Sequence, residues 1–351
     1  MSWPTRATLP GGRSARGLLA VSPEGQLVAP VDAAAARELA AATLRAAGIG
    51  ERDRVVVALN DDGEPAGSLI AQAAADVAQA AASVGPRGRM RLHTALEAVG
   101  ATALVATPTG AMDFLARLHL EFLLDPLDLE LRHILLVGEI ASAGAGAQLA
   151  AEFEASVREL YADPVFGVPV AWRDPGEALL TPVRDGILGL APPAKDAPLE
   201  APHDAGLAEI TVRHAWHDGP VRTGHAVRLA GGETGIPAPA HTVGEHVLVK
   251  GRWLSVPKIA AALSKIDGIA RWDLRISRAG TLDTARLHVA FNRDTLVKNP
   301  MWKGRVQQAL YALTPIGVEV VVEPEVAEER RPGTVTDERG HHLGRDRAQV
   351  S

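Results

Sequence analysis

Arg222, Thr223, Gly224 and His225 follow closely on His214, Trp216, His217 and Asp218. Imidazoles and a carboxylate at this density invite a zinc reading. The spacing fits neither an HExxH helix nor a finger pattern, and exposed polar residues on strands are the alternative. A neutral imidazole accepts only one hydrogen bond. His225 can therefore act as a base, meet a substrate anion, or be a plain surface strand histidine. A second candidate is the run ASAGAGA from Ala141 to Ala147, after the apolar stretch HILLVGE. It imitates a phosphate-binding turn but lacks GxGxxG spacing and the acidic partner of a dinucleotide site. The chain has no cysteine, which excludes disulfides, thiolate nucleophiles, cysteinyl zinc and iron–sulfur clusters.

The elements that must position these residues are set by periodicity. Met1 to Arg16 reads as a loose arm, and two short apolar runs around Ser22, Pro23, Glu24, Gly25 and Gln26 read as a hairpin. Asp32 caps a helix that Gly48 ends. DRVVVAL, from Asp53, is a continuous apolar run, the pattern of a strand covered on both faces. Helices over Ser68–Ala82, Met90–Val99, Ala111–Leu124 and Ala147–Tyr161 alternate with the strands ATALVAT and HILLVGE. That alternation predicts βαβ units and a mainly parallel sheet. Beyond Tyr161, prolines punctuate a smaller antiparallel part carrying AEITVRHAW and VRTGHAVRL. From Gly244 a separate α+β module is expected, with a charged, mobile tail after Ala327. The fold class is thus α/β: a large N-terminal domain, residues 1–243, and a small α+β C-terminal domain, residues 244–351, hinged at Gly244 and Glu245.

With 351 residues, two domains are expected. A hydrophobic share of 47% with 22% charged residues excludes wholesale disorder, and a net charge of −6 argues against nucleic acid or anionic membrane as partner. No segment reaches the ~20 apolar residues of a membrane span, and a cytoplasmic location is expected. Only six of the 36 basic residues are lysines, a bias of GC-rich bacterial genomes.

Five stretches, taken in order, resemble the phenylacetate–CoA ligase branch of the adenylate-forming enzymes, across roughly Gly17 to Arg339. ALVATPTGAMDFLARL resembles that family's strand–TPS–helix segment. LRHILLVGE resembles the strand ending in Gly-Ala-Glu beside the adenine pocket, with Gly138 and Glu139 at the Gly and Glu. FGVPV, from Phe166 and Gly167, sits at the Tyr-Gly-Leu-Ser-Glu segment. VRTGHAVRL resembles the ribose-holding Tyr-Arg-Thr-Gly-Asp, and HVLVKGRWLSVPKIAAAL the start of the mobile C-terminal domain. The resemblance implies binding of, or action on, a small aromatic carboxylate, with ATP, magnesium and CoA as cofactors, in secondary-metabolite tailoring. Gly138, Glu139, Phe166, Gly167, Arg222, Thr223 and His225 would line the site. A homodimer or a pathway partner protein is left open.

The chain departs from that family where charge must be handled. The phosphate-cradling turn would be Ser22 to Gln26, where Pro23 lacks an N–H and Glu24 would face phosphates. It is either a reduced loop that still meets a ligand or an ordinary β-turn. Val170 stands at the magnesium ligand, with Asp174 four residues on, and an alkyl group cannot coordinate a hard cation. His225 replaces the ribose carboxylate. No lysine comes after Lys303, so the segment at Gly333 and Thr334 has none, and only Arg330 or Arg331 offers positive charge there. No residue is assigned a catalytic role and none a metal. The alternative to a ligase is a non-adenylating descendant that serves as a binding or scaffold protein.

Overall fold

The computed structural model describes residues 2–9, 16–21, 28–61, 66–85, 89–140, 144–280 and 282–350; the turn at Ser22 to Gln26 and residues 141–143 of the glycine-rich run lie outside them. The chain forms two compact units, residues 1–240 and 241–350. Among the described residues no helix is long and apolar enough to cross a membrane.

The first unit opens with the antiparallel pair β1 (Leu18–Val21) and β2 (Val28–Val31). Asp32 then caps α1 (Ala33–Ala46), its carboxylate accepting the amides of Ala34 and Ala35 at 3.0 Å. After it come β3 (Arg54–Ala58), α2 (Gly67–Ala75), β4 (Ala80–Ser83), α3 (Arg89–Val99), β5 (Ala103–Ala106), α4 (Pro108–Arg117), β6 (His133–Val137), α5 (Ala145–Phe153) and β7 (Ser156–Ala162). Next are β8 (Pro169–Arg173), β9 (Leu179–Pro182), β10 (Leu188–Ala191), β11 (Gly206–Val212), β12 (Val221–Leu229) and β13 (Ile236–Pro237). Eight strands form one sheet in the order β13-β9-β8-β7-β6-β5-β3-β4. From β4 to β7 every pairing is parallel, and β8, β9 and β13 extend it antiparallel. The apolar run of β3 works as expected: Val55 and Val57 pack with α1 and α2, Val56 and Ala58 with the α3–α5 layer. The β10-β11-β12 ladder closes a third core with Phe166 and Val170.

Three expected features are corrected. The alanine helix over Ser68–Ala82 breaks at Asp76, and Ala80–Ser83 becomes edge strand β4. Alanine is a weak strand former, so its sequence hides that edge. The helix over Ala147–Tyr161 ends at Glu154, left-handed with φ 48°, and SVRELYA is the central strand β7. Val157, Leu160 and Tyr161 fall at i, i+3 and i+4, imitating a helix face. The N-terminal arm is docked over residues 2–9: the Trp3 amide donates to Asp196 (3.0 Å), and Leu9 is buried.

The second unit contains β14 (His241–Thr242), β15 (His246–Val249), β16 (Arg252–Ser255), α6 (Val256–Leu263), β17 (Ile269–Ala279), β18 (Leu282–Phe291), α7 (Asp294–Val297), α8 (Pro300–Leu313), β19 (Glu319–Val322) and β20 (Thr334–Asp337). Its sheet runs β19-β18-β17-β20 around a core of Trp272, Leu274, Leu287 and Phe291. The tail after Ala327, expected to be mobile, supplies β20, which pairs parallel to β17. His341 and His342 in this tail are half-buried, and loss of hydration lowers both to a pKa of about 4. Gly333 enters β20 against the face of Trp272, where an added Cβ would lie 1.8 Å from Cε2. We expect Gly333→Ala to cost the second unit ~1–3 kcal/mol by overpacking, read as a lowered urea midpoint. An unchanged midpoint would mean that the Trp272 ring moves aside without cost.

Candidate functional site

Asp163 stands immediately after β7 and organises the turn that leads to β8. Its Oδ1 accepts the amides of Val165 (3.0 Å) and Phe166 (2.7 Å), while Oδ2 accepts Val168 N–H (3.4 Å) and His214 Nε2–H (3.0 Å). The Gly167 amide donates to the Asp163 carbonyl (2.9 Å). A turn wound on one buried carboxylate thus fixes Phe166 and Gly167. Phe166 lies in the core, with its ring edge-on to His214 (5.0 Å) and Trp216 (5.8 Å), and those two rings stack at 4.2 Å. His214 Nδ1 and Trp216 Nε1 have no hydrogen-bond partner among the described residues.

Arg222 in β12 turns inward, its side chain 4% exposed. It pairs with Glu209 and Asp196, each at 2.8 Å, and donates to the carbonyls of Pro192 (3.1 Å) and Lys195 (2.7 Å). Glu209 also accepts the Gly224 amide (2.9 Å), and the Thr223 hydroxyl donates to the Ile210 carbonyl (2.7 Å). His225 is 8% exposed, with Nδ1 3.3 Å from the Tyr161 hydroxyl. Burial, reinforced by the charge of Arg6, drives its pKa down to about 3, so the imidazole is neutral. Both His214 and His225 are buried, which corrects the expectation of exposed histidines on these strands.

A cleft of about 390 Å³, counting space continuous with solvent, opens at the C-terminal ends of β6 and β7. That is where open α/β sheets collect ligands. Leu136, Leu160, Tyr161 and Leu180 give it apolar walls, and its charges are Glu139, Glu159 and Arg173. Glu139 comes just after Gly138 at the end of β6, its Oε2 accepting the Thr109 amide (3.0 Å) and hydroxyl (2.6 Å) at the start of α4. Arg173 on β8 lies across from Glu159 on β7, with Nε 2.8 Å from its carboxylate.

Of the residues singled out from sequence, only Glu139 borders this cleft; Phe166, Gly167, Arg222, Thr223 and His225 do not. Tyr161 joins the two groups, since it lines the cleft and meets His225. Tyr161, Asp163, Glu159 and Arg173 escape sequence reasoning because each sits in or beside a stretch that reads as helix or loop. Only the alternation of β7 could have revealed them. Gly244 is buried and Glu245 exposed in the second unit.

Two residues that the resemblance sets near a magnesium ion are engaged elsewhere in this structure. Val170 is 0% exposed, inside the core. Asp174 is engaged by Arg158 at 3.0 Å. Among the described residues no three histidine or carboxylate groups converge as a metal site requires.

No family model matches this chain, and no curated protein matches its sequence. Solved structures do match. 2-Hydroxyisobutyryl-CoA ligase in complex with 2-HIB-AMP and CoA, in the thioesterification state, superposes with a TM-score of 0.74 at 16% identity, over 95% of this chain and 76% of that one. A double mutant of o-succinylbenzoate CoA synthetase from Bacillus subtilis, bound with its product analogue, gives 0.61 at 12% identity, over 82% of this chain and 61% of that one. A malonyl-CoA ligase with methylmalonyl-CoA and AMP gives 0.59 at 16% identity, over 88% and 70%. This chain therefore shares the fold of these three CoA-ligase structures.

The inward-facing residues lead to two expected outcomes. Arg222→Ala removes a charged partner of the buried Glu209 and should cost ~1–3 kcal/mol in urea unfolding; an unchanged stability would show that the remaining partners of Glu209 compensate. His225 has a folded pKa below its ordinary 6.5, so the unfolded chain binds the extra proton first. Its stabilisation is whole above pH ~6.5 and falls toward pH ~3, by at most ~1.4 kcal/mol per pH unit. His225→Gln should flatten the pH dependence of unfolding free energy in that window, and an unaltered slope would assign it to other groups.

Proposed function

We propose that this protein is a non-adenylating relative of the phenylacetate–CoA ligase branch, and that it binds a small carboxylic acid in the cleft beside Glu139 and Arg173. One observation carries the reading. The position that would grip a ribose holds His225, neutral, buried and engaged by Tyr161, where a carboxylate is needed. An imidazole with one nitrogen so occupied cannot clamp two ribose hydroxyls.

Three further features support it. The alkyl side chain of Val170 replaces the metal ligand inside the core, and Arg222 is consumed by its own carboxylates. Arg331, near Gly333, pairs with Glu329 (3.0 Å) in solvent. The acid class rests on Arg173, the cation of the lining, and on apolar walls that suit an aromatic or branched body. A ligand carboxylate must share Arg173 with Glu159, so modest affinity is expected. The fold neighbours that carry CoA favour the rival reading, an active ligase.

Calorimetric titration with small aromatic and aliphatic acids, with and without ATP and magnesium, tests binding. Acid binding independent of nucleotide, and weakened at least ~10-fold by Arg173→Ala, is expected. Acid-dependent exchange of labelled pyrophosphate into ATP should fall at least ~10³-fold below that of an intact ligase, because several electrostatic elements are missing. Exchange near ~1 s⁻¹ overturns the proposal in favour of catalysis.

A further inference from the structure

The second unit begins where its own C-terminal tail lies across it. The Thr242 amide donates to the His341 carbonyl (2.7 Å), the Leu343 amide to the Thr242 carbonyl (2.9 Å), and the Gly244 amide to the Gly344 carbonyl (2.9 Å). Thr242 and His342 form a parallel β-bridge, with Thr242 Oγ1 3.1 Å from His342 Nδ1. His241 Nδ1 adds a contact to the Gly340 carbonyl (3.0 Å). Residues 340–344 therefore run beside residues 241–244 as an extra strand.

Both ends of this strand are fastened. Upstream, the Arg339 guanidinium is buried between Asp337 (2.8 Å) and Asp283, and donates to the Leu248 carbonyl (2.8 Å). These carboxylates hold Arg339 above its ordinary pKa against the cost of burial; Arg339 holds Asp337 below its own, and Arg278 together with Arg339 does the same for Asp283. Downstream, Arg347 lies over Gly244. A Cβ on Gly244 would sit 2.7 Å from a guanidinium nitrogen, and its φ of +95° excludes other residues at low cost. Gly244 is thus fitted to Arg347 and to a left-handed turn at once.

We infer that residues 340–347 are a strap that pins the segment opening the second unit, adding backbone hydrogen bonds along residues 241–244. An exposed linker has solvated amides and little packing. Here Thr242 and Val243 are each 1% exposed. The strap is a separable layer on the unit. Its partners are residues 241–244 and, at either end of β20, Gly333 and Asp337, whereas none of its residues belongs to the core of Trp272, Leu274, Leu287 and Phe291. Any movement at this segment must first peel off the strap, so the C-terminal end controls the mobility of a stretch about a hundred residues upstream.

Amide hydrogen exchange on the full chain tests this, read at Thr242 and Gly244 and, as reference, over residues 269–291. Ending the chain after Gly340 should raise exchange at the two amides at least ~100-fold and leave the reference unchanged. Leu343→Pro, which removes one donor and leaves the Arg339 anchor, should raise it at least ~10-fold. Unchanged exchange at Thr242 and Gly244 in Leu343→Pro overturns the strap. So does equal loss of protection over 269–291 in both variants, which would make residues 340–347 part of the core.

Discussion

The candidate site depends on one buried carboxylate. Asp163 takes hydrogen bonds from three backbone amides of its own turn and from His214 on the far side of the β-rich part. A buried carboxylate is tolerable only when its lone pairs are met, so the turn after β7 has little freedom to take another shape. That turn places Phe166 in the core, and Phe166 sets the stacked rings of His214 and Trp216. Tyr161, two residues earlier, then faces the cleft on one side and His225 on the other. Depriving Asp163 of its charge would unsettle every group named above, though none but Tyr161 borders the cleft.

The same economy of satisfied polar groups separates fold from activity. In a phosphoryl or adenylyl transfer site, charged groups point at the place where charge develops and stay unsatisfied until the ligand arrives. In this chain Arg222, Glu209 and Asp196 satisfy one another. Arg222 and Asp196 also hold the β10-β11-β12 ladder to the N-terminal arm through Trp3. Fold likeness at 12–16% identity says nothing about which of these two uses a buried arginine has.

How much of this was legible in the sequence depended on local period. The apolar run at Val55–Val57, the Asp32 cap and the strand VRTGHAVRL could be read directly, because strand length and capping chemistry are local properties. β4 and β7 were hidden, one by alanines and one by an apolar spacing that fits a helix as well as a strand. What set them was pairing with β3 and β6, a non-local matter. The residues of the cleft were hidden with β7. Arg222 and His225 were visible as residues, but not the direction they face, since a strand with both sides buried gives no alternation to read. The tail carries so many charges that it reads as solvated; Asp337, Arg339 and Asp283 instead neutralise one another beneath it.

The pairing of residues 242–244 with 341–344 also sets an order of events during synthesis. The first unit has all its strands once Pro237 has been made, so its eight-stranded sheet can close while the ribosome is still at work. The second unit cannot finish in the same way. β17 waits for β20, sixty-odd residues later, and Thr242 waits for His342. Until residues 341–344 leave the exit tunnel, the amides of Thr242 and Gly244 lack the carbonyls that they meet in the folded unit. The emergence of residues 341–344 is therefore the step that closes this pairing.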